Sequence, residues 1–204
     1  MGPDSFRSPV TLSGRHAALL PLDPSHAEAL RPRAADPEVG RYLRLPPGRS
    51  FEEMEEVIAA LLDAQRAGTD LPFTTCLLPD LRPIGMTRFL RIDRDDEWVE
   101  IGGTWLDPAY WRTPVNTEAK YLLLRHAFES EQAHRVSLQT DLRNVRSQRA
   151  IERLGAVHEG VTREDVRLAD GYRRSSVHYA VLVSEWPAVK SRLEAALARP
   201  WPAR

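Results

Sequence analysis

The residue pattern predicts an α/β (α+β) fold, a central mixed, mostly antiparallel sheet of about seven strands with helices on both faces. Three observations carry this expectation. Short β-like runs alternate with segments of helical periodicity along the chain. The early runs follow one another through turns, as antiparallel strands do, whereas the later ones read strand–helix–strand–helix and then a hairpin. Finally, 204 residues of which 42% are hydrophobic suffice for one domain with its own core.

The elements follow in order. Residues 1–10, with Pro3 and Pro9, read as a loose tail, 11–198 as a single domain, and 199–204 (Arg-Pro-Trp-Pro-Ala-Arg) as a second tail that cannot continue a helix. Residues 15–20 suggest a first strand, and Asp23-Pro24 opens a short helix to about Ala35. Ser50 followed by Glu53 is a capping box. Behind it Met54, Val57, Ile58, Leu61 and Leu62 recur at helical spacing until Gly68. Strands are expected near 72–78, 83–91 and 97–106, with the charged run 93–97 as a turn. A second strong helix runs from Thr117 to about Gln132, with Ala119, Leu122, Leu123, His126 and Ala127 on its inner face. Then come a strand at 135–140, a helix at 147–154 closed by Gly155, strands near 157–166 and 173–183 about the Asp170-Gly171 turn, and a last amphipathic helix bearing Trp186, Val189, Leu193 and Leu197.

Composition removes several function classes. A formal charge of −1 argues against general nucleic-acid binding. No apolar run reaches the roughly 20 residues of a membrane span, the N-terminus lacks a signal-peptide pattern, and a cytoplasmic protein is expected. The single cysteine, Cys76, lies in a buried-strand context and reads as a core thiol. The six histidines show no metal-ligand spacing, so no metal is expected. Gly-x-Ser-x-Gly and Walker A patterns are absent. The acidic run Glu52, Glu53, Glu55 and Glu56 reads as a solvated helix face. Charge is uneven elsewhere. Residues 135–174 hold nine arginines against six acids, either a salt-bridged surface or a patch for a polyanion.

Residues 100–118 hold the most informative stretch. A strand ends at Leu106, Asp107-Pro108 breaks it, and a loop delivers the chain into a helix expected near Thr117. Such a join leaves backbone N–H groups free at the positive end of a helix, where a phosphate fits; it also serves as an ordinary connection. The loop Trp111-Arg-Thr-Pro-Val-Asn116 and its continuation to Lys120 resemble motif A of the GNAT acetyltransferases, in the branch of the RimJ and RimL enzymes, which acetylate ribosomal-protein N-termini. About thirty residues on, the run from Asp141 through Asn144, Ser147 and Ala150 to Gly155 is similar to that branch's motif B. The likeness spans about residues 10–190, and the pairing of the two motifs makes it specific.

The resemblance implies a GNAT fold and transfer of an acetyl group from acetyl-CoA to a primary amine, by direct attack in a ternary complex. The acceptor is a protein N-terminus, a small amine such as a polyamine or aminoglycoside being the alternative. A non-catalytic CoA-binding module is the rival from another class. No nucleic acid or membrane partner is implied, and oligomeric state stays open, a homodimer included. The same resemblance places contacts to the pantetheine and thioester on Thr104, Trp105 and Leu106, and contacts to the pyrophosphate on Arg112, Thr113, Val115, Asn116 and Thr117. Two departures stand out: Pro114 occupies a motif-A glycine position, removing one donor, with Arg112 as the compensating charge. In addition, Ile151 stands where many members have a tyrosine acid, leaving Ser147 or water. Asn144 and Ser147 either hold the pantetheine or cap their helix. Glu100 is the candidate base, placed by strand alternation on the same side as Leu106; the other reading is a glutamate balancing a basic neighbour. The acceptor cleft is expected between loops near residues 40–50 and 165–175.

Overall fold

The computed structural model of the protein describes residues 1–2, 4–44 and 50–200. One sheet contains β1 (Leu12–Ser13), β2 (Ala17–Pro21), β3 (Leu71–Leu77), β4 (Arg82–Asp93), β5 (Trp98–Leu106), β6 (Arg135–Asp141), β7 (Val157–Arg167) and β8 (Arg173–Leu182). Their order is β1-β2-β3-β4-β5-β6-β8-β7. Every pairing is antiparallel except β5 with β6. The expected seven strands are thus joined by a two-residue β1. The helices are α1 (Ala27–Ala34), α2 (Pro37–Gly40), α3 (Phe51–Arg66), α4 (Pro114–Arg125), α5 (Val145–Leu154) and α6 (Trp186–Leu197). A parallel pair needs a crossover, and α4 supplies it between β5 and β6.

Local chemistry accounts for the boundaries. Ser50 and Glu53 form the expected reciprocal box: the Glu53 N–H donates to Ser50 Oγ at 3.1 Å and the Ser50 N–H to Glu53 Oε2 at 3.2 Å. The four glutamates at the start of α3 are exposed. Helix α5 stops at Gly155, whose φ of +100° suits a residue without Cβ. Beyond α4 the chain passes through a single π-helical turn, His126–Ser130, so the expected helix ends two residues early.

Two apolar layers sandwich the sheet. On one face α4, α5 and α6 bring Leu122, Leu123, Leu154 and Leu193 against Phe89, Val99, Val136 and Tyr179. On the other, α1 and α3 bring Leu30, Met54 and Ile58 against Met86 and Trp105. Cys76 is fully buried, and burial pushes its thiol up to about 11, as for an inert core residue. The N-terminal segment is not a loose tail. Phe6, 1% exposed, packs edge-on to Phe89 at 4.7 Å between ring centres, and its N–H donates to Glu131 Oε2 at 2.9 Å. A single aromatic finding a core slot overrides the extended character of the prolines beside it. Of the expected C-terminal tail, residues 201–204 lie outside the described residues.

Candidate active site

The site is organised by an irregularity in β5. Its register with β4 runs Leu106 to Gly85 and Trp105 to Met86, then jumps to Gly102 opposite Arg88. Gly103 and Thr104 therefore together oppose Thr87, a bulge made possible by Gly103 at φ +58°. One extra residue reverses the alternation of side chains beyond it. Trp105 enters the α1/α3 layer and Leu106 the opposite layer beside Val115 of α4. Glu100 and Leu106 consequently face opposite sides of the sheet, which corrects the simple period-two expectation.

The parallel pair is short. It joins Trp98 to Arg135, Val99 to Val136 and Glu100 to Ser137, and ends there, although β5 continues to Leu106 and β6 to Asp141. Residues 101–106 thus present strand-edge backbone to a wedge between the two strands, a place where an extended chain can pair. At the open end of the wedge, Asp107 caps a 3-10 turn, Pro108–Tyr110, and the Trp111 ring N–H donates to the Leu106 carbonyl at 3.0 Å. Arg112 follows at φ +62°, the left-handed region that favours glycine, and its side chain is exposed.

Helix α4 then begins at Pro114, three residues earlier than expected. Pro114 is the first helical residue, where the N–H has no intrahelical partner and proline is well tolerated. Thr113 is the N-cap, but its hydroxyl donates back to the Tyr110 carbonyl at 2.7 Å and makes no capping bond. Helix geometry leaves the N–H groups of Thr113, Val115 and Asn116 outside the helical ladder, whereas Thr117 lies deep enough to donate to the Thr113 carbonyl. The Thr117 N–H is therefore taken up within α4 and does not face the loop as a donor. From α5, Arg146 stacks on the Trp111 ring at 3.5 Å. Partial burial, and to a smaller extent the field of Arg112, hold the Arg146 pKa below its ordinary value. Arg112 and Arg146, mutually repulsive and close to the uncapped start of α4, make this end of the wedge electropositive.

Glu100 sits on the α1/α3 side of the wedge in a cavity of about 340 Å³ lined also by Arg91, Trp98, Ser137, Gln139 and His178. Its carboxyl is 4% exposed. Gln139 Nε2 donates to both oxygens, at 3.0 and 3.3 Å, and Arg91 Nη1 lies at 3.2 Å. Burial raises the Glu100 pKa above the ordinary carboxylate value, and Arg91 and Gln139 oppose it only in part. A carboxylate moved toward neutrality, half-tied and facing a cavity, has the properties of a proton acceptor.

The remaining expected residues divide. Asn144 is the N-cap of α5, its Oδ1 accepting from the Ser147 N–H at 3.1 Å, so its side chain does structural work. Ser147 is half-buried on the first turn of α5, and Ile151 is in the core. The arginine-rich stretch is neutralised in part: Arg135 pairs with Glu159 and Arg143 with Asp141, while Arg174 is buried, donating to Ser176 Oγ and the Tyr42 carbonyl. Arg143 also lies over the Tyr172 ring at 3.4 Å and the Tyr42 ring at 5.7 Å, joining the segment before residue 45 to the β7–β8 hairpin. Residues 45–49 of the expected acceptor loop lie outside the described residues. Among the described residues no group of three or more potential ligands clusters for a metal, and no helix is long and apolar enough to cross a membrane. Sequence reasoning missed Gln139, Arg146 and the buried Lys120. Arg146 and Gln139 had a signal, the one in the basic stretch and the other as a polar residue on an alternating strand. Lys120 had none, since the residue type gives no warning of burial without an ionic partner.

The family profile described as "Acetyltransferase (GNAT) domain" matches residues 17–157. YdaF of Bacillus subtilis (strain 168), provisionally named a ribosomal N-acetyltransferase, is 29% identical over 114 residues, covering 56% of this chain and 61% of that relative. A crystal structure from T. thermophilus, provisionally named an acetyltransferase, is 42% identical with a TM-score of 0.85, covering 93% of this chain and 98% of its own. The structure of Mycobacterium smegmatis RimJ in complex with CoA-disulfide shares the fold at a TM-score of 0.83 and 21% identity, covering 95% of this chain and 98% of its own.

Proposed function

We propose, from the premise that this chain belongs to the GNAT acetyltransferase family, that it transfers an acetyl group from acetyl-CoA to the α-amine at the N-terminus of a protein, in the manner of the ribosomal-protein enzymes. The observation that carries the reading is the wedge between β5 and β6, opening onto the uncapped start of α4 at one end and flanked by the Glu100 cavity. The residues fit acetyl-CoA. Thr113, Val115 and Asn116 N–H groups with Arg112 and Arg146 suit a pyrophosphate, and the edge backbone of residues 104–106 suits the amides of a pantetheine arm. The thioester would supply the activated acetyl group: the bond to the amine nitrogen would form as the C–S bond breaks, and CoA would leave as its thiol after taking a proton from water or from Ser147 on the first turn of α5.

This chain's own groups do the rest. Glu100 accepts the amine proton, directly or through a water, and Arg91 and Gln139 hold its carboxylate in place. A backbone N–H on β5 near the bulge would be available to the acyl oxygen as charge develops there. An α-amine, with a pKa of about 7.7–8.0, is already partly neutral at working pH, so one carboxylate suffices. The name of YdaF supports a ribosomal acceptor over a polyamine or aminoglycoside. A competition assay tests the choice: with acetyl-CoA limiting, a peptide bearing a free N-terminus should take the label ahead of spermidine and an aminoglycoside. Preferential labelling of either small amine would replace this acceptor with the small-molecule one.

A further inference from the structure

Lys120 lies on α4, two turns in from its uncapped start, and is buried at 6% exposure. Its Nζ donates to Thr87 Oγ1 at 3.1 Å and, at short range, to Thr104 Oγ1. The two threonine hydroxyls are themselves 2.9 Å apart. Among the described residues no carboxylate pairs with Lys120. The nearest acid on its helix, Glu118, accepts instead from the N–H groups of Arg15, His16 and Ala17. Desolvation is accordingly the cause that moves this amine, whose pKa falls to about 7.

Packing does not call for such a group. A methionine fills the same volume without burying an amine in an apolar layer. What Lys120 holds is specific: Thr104 is the second residue of the β5 bulge, and Thr87 is the residue opposite it. The bulge decides where residues 104–106 aim their backbone. We propose that Lys120 is a positioning residue of the transfer centre, gripping Thr104 and Thr87 from α4 so that the β5 bulge holds its backbone donors toward the wedge. The inference rests on the acetyl-transfer reading. On that reading a misplacement of about 1 Å in the strand is enough to cost turnover roughly a hundredfold. The pyrophosphate anchors lie elsewhere, so the loss should fall more heavily on turnover than on CoA affinity.

Lys120→Met tests it. The variant should melt higher than wild type at pH 7, because it removes a buried amine, and lose less in CoA affinity than in kcat. Its kcat should fall by about 10- to 100-fold. Lys120→Gln, which retains donors for the threonines, should recover part of that loss. A Lys120→Met enzyme with wild-type kcat overturns the proposal. Should Lys120→Met fail to fold, Thr104→Val carries the test: a comparable loss of kcat supports the grip and an unchanged kcat rejects it. An inactive wild type would fail the functional reading instead. The grip is then read by hydrogen exchange, where faster exchange of the amides of residues 103–106 in Lys120→Met supports it and unchanged exchange refutes it.

Discussion

Among single residues, the proposed function gives Glu100 on one side, and Arg112 of the loop with Arg146 of α5 on the other, separable jobs. Glu100 has a folded pKa above its unfolded value, so the native state holds the extra proton in the window between them, and stability falls as pH rises through that window. Glu100→Gln should therefore not lower the melting temperature at neutral pH. Acetyl transfer at neutral pH should nevertheless drop about 10²–10⁴-fold. The acid side of the wild-type kcat/KM profile should show Glu100, above the ordinary carboxylate range, as well as the acceptor amine, and that of the variant the amine alone. An unaltered profile would clear Glu100 of a role. For Arg112 and Arg146, replacement by alanine should weaken CoA binding by about 1–2 kcal/mol each, and the loss should shrink in high salt. Calorimetric titration decides this, and equal affinity in both variants would remove the anion site from the loop.

At the scale of elements, the strands and helices were legible because each carries its own period and its own stop signal, such as the Ser50/Glu53 box or Gly155. The active-site geometry was not, and the bulge shows why. Glu100 and Leu106 are six positions apart, an even number, yet Gly103 inserts one residue and reverses their relation. Nothing in the sequence marks which glycine of Gly102-Gly103 takes positive φ. The start of α4 was misplaced for a related reason: Pro114 reads as a breaker in a loop and as a favourable first residue in a helix, and only the neighbouring turn decides. Burial of charge was equally hidden. Glu118 looks like a surface residue on α4, but its carboxylate accepts three backbone N–H bonds and pins the start of β2. Gly14 leaves room for it, since a Cβ there would meet Glu118 Cδ at 2.4 Å. Glu118→Ala strands those donors and should cost about 3 kcal/mol or more in urea unfolding. A loss under about 1 kcal/mol would show that water replaces the carboxylate at little cost.

At the scale of the molecule, function and stability pull apart around one seam of the sheet. Lys120 has a folded pKa of about 7 against 10.5 for the free side chain, so the native state binds fewer protons between those values. Its contribution to stability therefore improves as pH rises from about 7 toward 10.5, and the full penalty is present below that window. Lys120→Met should flatten the stability profile over that range, and an identical slope would place the proton elsewhere. The seam itself, β5 against β6, is where one parallel pair interrupts an antiparallel sheet, and it opens beside the crossover helix that joins them. The central claim is that this opening is an acyl-transfer site for a peptide α-amine. The most direct measurement incubates the protein with acetyl-CoA and a peptide that has both a free N-terminus and an internal lysine, following thiol release and mapping the acetyl group by tandem mass spectrometry. The account predicts thiol release matched by acetylation of the α-nitrogen, abolished when the peptide is supplied already N-acetylated. Acetyl groups on the lysine alone, or no thiol release at all from a protein that is folded, would contradict it.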